Sequence, residues 1–147
     1  MKKTLIRVLK IVFCIIFAAL ILPWFLNPAI NNIKLYRLSR ELSNHSISLK
    51  TQIIEKQSIC GKLNGNGNGM DFLVTILVKS DLSLEELQKY YSFATVIKQE
   101  GMSLNTEYLE HGEIEYSKLK DITSFEDYFV VLIFDGGYPA LFDIRGR

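Results

Sequence analysis

The chain has 147 residues, 17 Lys and Arg against 16 Asp and Glu, two Cys and an apolar share of 48%. Four of the basic residues, Lys2, Lys3, Arg7 and Lys10, precede residue 11, so residues 30–147 carry 13 basic against 16 acidic side chains, a net of −3 that offers nucleic acid no electrostatic footprint. Those 118 positions suffice for one soluble domain and leave no room for a second.

An uninterrupted apolar run from Ile11 to Leu26 follows the basic tail, with Ile11, Phe13, Ile16, Leu20, Leu22 and Trp24 as its anchor residues. Sixteen helical residues reach about 24 Å, short of a hydrocarbon core of about 30 Å. Snorkelling of Lys10 brings Val8 and Leu9 into the span and lengthens it to about 28 Å. Trp24 and Phe25 suit the aromatic belt at the far interface, and Asn27 before Pro28 reads as an N-cap with proline at the first helical position, which predicts a break or kink near Asn27. A cleaved signal peptide shares the basic and apolar regions but needs small residues at alternate positions past the core. Leu26 to Ile30 holds no such pair, which favours a retained anchor. Four basic residues before the span against Lys34, Arg37 and Arg40 after it favour a cytoplasmic N-terminus and an extracytoplasmic C-terminal part. Secretion after cleavage is the alternative location.

From Pro28 to about Leu42 the pattern is helical, with Leu35, Leu38 and Leu42 on one stripe and Lys34, Arg37 and Arg40 on another. The apolar stripe predicts a stalk packed on the domain; the basic one offers an interfacial helix that meets lipid phosphates. Asn44, His45 and Ser46 stop the helix. Ile47 to Leu63 reads as one or two strands and leads into Asn64-Gly65-Asn66-Gly67-Asn68-Gly69, the strongest turn signal of the chain. Met70 to Lys79 is apolar on both faces, so it predicts a covered central strand paired with the preceding one in a hairpin. Ser83 and Glu86 have capping-box spacing and open a helix from Leu84 to about Ala94 whose stripe is Leu84, Leu87 and Tyr91. No element is assigned from Thr95 to Asn105. Glu113 to Leu119 suggests a half-exposed strand, and Tyr128 to Phe134 a β-branched and aromatic one. Asp135-Gly136-Gly137 then predicts a turn into a closing strand through Ala140, Phe142 and Ile144.

The expected architecture is α+β: a single N-terminal transmembrane helix, then a small domain with a mainly antiparallel sheet of about five strands covered by one or two helices. The boundaries are 1–27 for tail and anchor, 28–44 for the juxtamembrane helix or stalk, and 45–147 for the soluble domain.

Candidate sites are few. The Gly-Asn run lacks the strand-to-helix setting of a phosphate loop and reads as a hairpin turn. Glu107, Glu110, Glu113 and Glu115, with His111 among them, read as a solvated acidic edge rather than a cation site. Cys14 in the span and Cys60 in the domain cannot pair, and Cys60 reads as a small buried hydrophobe. His45 and His111 belong to no catalytic motif, and G-x-S-x-G, C-x-x-C and H-E-x-x-H are all missing. No cofactor, metal site or catalytic residue is assigned. A ligand or partner surface is placed at Asn66 and Asn68 in the loop and at Asp143 and Arg145, expected as a same-strand ion pair near a sheet edge able to accept an added strand. The functional expectation is a single-pass membrane protein of a bacterium-like cell, anchored in lipid and displaying a domain that binds a protein partner. Competing readings are a membrane-tethered sensor or enzyme acting on a small ligand, and an accessory subunit of a membrane complex.

Overall fold

The computed structural model describes residues 2–48, 50–65 and 67–147, with side chains from residue 6 onward. A single helix, α1, runs from Lys2 to Asn44. From Ile6 onward it is long and apolar enough to cross a membrane, and its apolar stretch is not buried against the rest of the chain. Pro23 and Pro28 both lie inside it, so the expected start of a new helix at Asn27 is not found. Each proline removes one backbone bond and leaves the carbonyl four residues earlier, Ala19 or Trp24, without that donor. Between its ends the unbroken helix pairs its other backbone groups internally.

The sheet has four strands, not five: β1 (Thr51–Gly61), β2 (Gly69–Ser80), β3 (Thr95–Lys98) and β4 (Tyr128–Pro139), in the order β1-β2-β4-β3 and antiparallel throughout. Apolar side chains on both faces of β2 put it at the centre, paired with β1 in the expected hairpin and with β4 on its other side. The helix α2 (Leu84–Tyr90) opens with the complete capping box: Ser83 Oγ accepts from the Glu86 amide, and the Glu86 carboxylate accepts from the Ser83 amide. It ends at Tyr90, one turn before Ala94, because the chain turns there to enter β3, a strand the sequence left unassigned.

One sheet face carries Phe72, Val74, Ile76 and Val78 of β2 with Phe129 and Val131 of β4. Leu35, Leu38 and Leu42 of α1, Leu87 of α2 and Tyr91 just after it cover this face, so the leucine stripe of α1 packs on the domain. Leu35 and Leu38 pack against both the cluster around Phe72 and that of Val74, Ile76 and Val78, Leu42 belongs to the second alone, and Lys34 lies over the Phe72 ring. Helix α1 therefore runs beside β2 in the same sense, and the Gly61, Gly69 and Pro139 end of the sheet lies nearest the apolar span.

The opposite face, with Leu73, Thr75 and Leu77 of β2 and Val130 and Leu132 of β4, is covered by the irregular segment 99–127 through Leu104, Ile114, Tyr116 and Leu119. Glu113 to Leu119 is not a strand: Glu115 forms an isolated bridge to Ser103, and Ser117–Leu119 is a 3₁₀ turn. The closing strand is also absent. Asp135, Gly136 and Gly137 continue β4, and the register shift between Met70↔Tyr138 and Phe72↔Asp135 sets the two glycines opposite the single residue Asp71, a β-bulge. Gly137 has φ +83°, and a Cβ on Gly136 would collide with Asp71 Oδ1 and the Phe134 ring. Glycine here bends a strand that would otherwise continue straight.

Candidate functional site: a clasp between helix α1 and the 140–147 turn

After Pro139 the chain leaves the sheet, makes a turn closed by the Asp143 amide donating to the Ala140 carbonyl, and forms a 3₁₀ turn at Ile144–Gly146. Asp143 and Arg145 do form an ion pair, but in this turn and not along an edge strand, so no strand-accepting edge exists there. The Asp143 side chain is fully buried, and its two oxygens accept from Arg145 Nε at 2.9 Å, Arg145 Nη2 at 2.6 Å, the Arg145 amide at 3.1 Å and Asn31 Nδ2 at 2.9 Å. Arg145 also donates from Nη1 to Asn32 Oδ1 at 2.8 Å and from Nη2 toward the Pro28 carbonyl at 3.4 Å. A buried carboxylate is tolerated only when paired and hydrogen-bonded, and here every donor is supplied by the chain itself. The Arg145 side chain, above all, holds the Asp143 carboxyl down at about 2 against the opposing effect of burial, with Asn31 adding to it. Asp143 in turn raises Arg145 above its ordinary value.

The turn is fastened on its other side as well. The Arg145 carbonyl accepts from the Lys62 amide at 2.7 Å, and Gly146 is packed so tightly that a Cβ would meet the Gly69 carbonyl and Ala140. Phe142 stands against Trp24 with ring centroids 5.5 Å apart, and the Arg147 guanidinium lies 5.3 Å over the same indole. Contacts from one short segment thus reach α1 on both sides of Pro28.

A second polar contact ties α1 to the β4 bulge. Lys34 Nζ is 2.9 Å from Asp135 Oδ2 and 3.0 Å from the Tyr138 ring centroid, and the Tyr138 hydroxyl donates to Asp135 Oδ1 at 2.9 Å. Lys34 is therefore turned into the domain, away from the basic stripe expected to meet lipid, whereas Arg37 and Arg40 remain exposed.

Of the loop residues, Asn66 lies outside the described residues. Asn68 is exposed and lines an open cavity of about 430 Å³ with Asn64, Asp71, Tyr138 and Pro139, to which neither Asp143 nor Arg145 contributes. Four amides in and beside this loop have carboxylate acceptors. Asp71 Oδ2 takes the Leu63 and Asn64 amides, Asp71 Oδ1 takes Gly137, and Glu110 takes Gly65. Carboxylates on those donors leave a phosphate neither hydrogen bonds nor a favourable field. His111 Nε2 meets the Gly65 carbonyl at 3.1 Å, so Glu110 and His111 brace the loop. All four glutamates of the cluster are exposed, and no group of three or more His, Cys, Asp or Glu converges to hold a metal among the described residues. Cys60 is buried and unpaired, and burial pushes its thiol up.

The sequence reading missed Asn31, Asn32, Lys34, Asp71 and Phe142. A usable signal existed for Asp71, the one charged residue in the run Met70 to Val78, because a carboxylate in a covered strand demands donors nearby. Ile11, Phe13, Ile16, Leu20, Leu22 and Trp24 all stay exposed on α1. Comparison with protein families, curated proteins and solved structures yields no match, so function rests on this geometry.

Proposed function

We propose that the chain is a single-pass membrane-anchored protein that holds a small α+β binding domain at a fixed height and orientation outside the cytoplasm, where it engages a protein partner. One observation supports this reading above the others. Helix α1 passes without interruption from its apolar stretch into residues that pack in the domain core and meet Asp135, Asp143 and Arg145 through polar side chains. A flexible tether would suit a domain that only needs to stay nearby; a continuous, clasped helix suits one whose binding face must point in a set direction. The small-ligand alternative draws no support from the Gly-Asn loop, where the carboxylates of Asp71 and Glu110 already accept the Asn64 and Gly65 amides.

Asp81 is exposed at the sheet end far from the span, next to Ser80 where β2 finishes. Asp81→Cys in the full chain, with Cys14 and Cys60 changed to Ser, should react with a membrane-impermeant maleimide on intact cells. Reaction only after lysis would place the domain in the cytoplasm and overturn the proposed orientation.

A further inference from the structure

We propose that the 140–147 turn is a second membrane-contacting element, in which Leu141, Phe142 and Ile144 enter the interfacial layer of the same bilayer that α1 crosses. This rests on the membrane-anchor reading and extends it to a part of the domain far away in sequence. Outside α1 the two most exposed large apolar side chains among the described residues are Ile144 at 70% and Leu141 at 62%, and both lie in this turn. Exposed apolar groups scattered singly need no explanation, but here Phe142 and Tyr138 lie within a few residues of them, at 39% and 43%.

Depth identifies the occupant. Trp24 closes the apolar run of α1, where aromatic side chains sit at headgroup level. Phe142 packs on Trp24, which sets the turn at that same level, and Asn31, Asn32 and the Pro28 carbonyl hold it there through Asp143 and Arg145. The charges within the turn do not oppose entry, because the Asp143 carboxylate is wholly enclosed and neutralised by Arg145. Arg147 stands over the Trp24 ring, where a guanidinium can reach lipid phosphate. Leu141 adopts φ +50°, a region that side-chain-bearing residues rarely occupy, and the turn keeps its apolar side chain outward nonetheless.

Trp24 is the only tryptophan, so depth is measurable by fluorescence in the full chain reconstituted into phosphatidylcholine vesicles. Lipid brominated near the headgroup end of its chains should quench Trp24 in the wild type. In a Trp24→Phe background, Ile144→Trp and Leu141→Trp should each lose about half their emission to the same lipid, as expected for a ring about 5–10 Å into the headgroup and acyl boundary. Asp81→Trp, at the far end of the sheet, should lose none. Quenching of Trp24 but of neither turn variant, in protein whose circular dichroism matches wild type, would overturn the proposal and leave a protein as the occupant of the patch. Absence of quenching at Trp24 itself would instead overturn the anchor reading, and this inference with it.

Discussion

Asp143 is the residue whose ionisation most directly controls the clasp. Its carboxyl sits at about 2 when folded against an ordinary value of 3.8, so its contribution is fully present above about pH 4 and lost as pH falls through 2. At neutral pH that contribution is roughly 2 kcal/mol. Asp143→Asn should therefore lower stability by about that amount at pH 7, measured by urea unfolding of the full chain in detergent, and the gap from wild type should close towards pH 2. A gap unchanged with pH would show that the charge is not what the clasp uses. Thr75 and Tyr116 present the opposite case. Both hydroxyls are buried without a hydrogen-bond partner, and burial pushes the Tyr116 hydroxyl up to about 12. Removing two such groups together is near neutral or stabilising, so Thr75→Val with Tyr116→Phe should unfold at or above the wild-type temperature. A loss larger than about 1 kcal/mol would mean that the hydroxyls pair in solution.

Elements with a strong local code are the ones the sequence discloses. Capping chemistry at Ser83 and Glu86, the double-faced apolar run of β2 and the leucine stripe of α1 each depend on residues close in sequence, and each is found. Where the fold departs from the sequence reading, a distant partner decides. Asp135-Gly136-Gly137 is turn chemistry in isolation, but Asp71 opposite it accepts the Gly137 amide and converts the same residues into a bulge. Ile114 and Tyr116 imitate a strand because two buried residues at spacing two also arise when an extended segment lies across a sheet face. Strand β3 is four residues of mixed character beside a longer β4, and pairing rather than composition makes it a strand. The clasp is legible only in half: Asp143 and Arg145 pair as their spacing suggests, but residues 28–32 meet them across more than a hundred positions and no local pattern announces that contact.

At the scale of the molecule, the second half of α1 belongs to the folding unit of the sheet. Leu42 is 2% exposed in the core, with Leu35 and Leu38 packed beside it. A chain spanning 28–147 should melt cooperatively, whereas 45–147 should lose about 3–6 kcal/mol of apolar burial, a large share of the 5–15 kcal/mol typical of a domain. The observable is a broad thermal transition with dye binding to the uncovered face of 45–147. An equally sharp transition in both chains would show that the helix rests on the domain without supporting it. Pro28 gives the arrangement a mechanical consequence. Proline leaves α1 with a missing backbone bond at Trp24, and the 140–147 turn grips the helix above and below that point, through Trp24 on one side and Asn31 and Asn32 on the other. The turn is a splint across a hinge. With it in place the domain and the apolar half of α1 move as one lever; prised away by a binding partner or by acid, the same turn would set the domain free to swivel on that half.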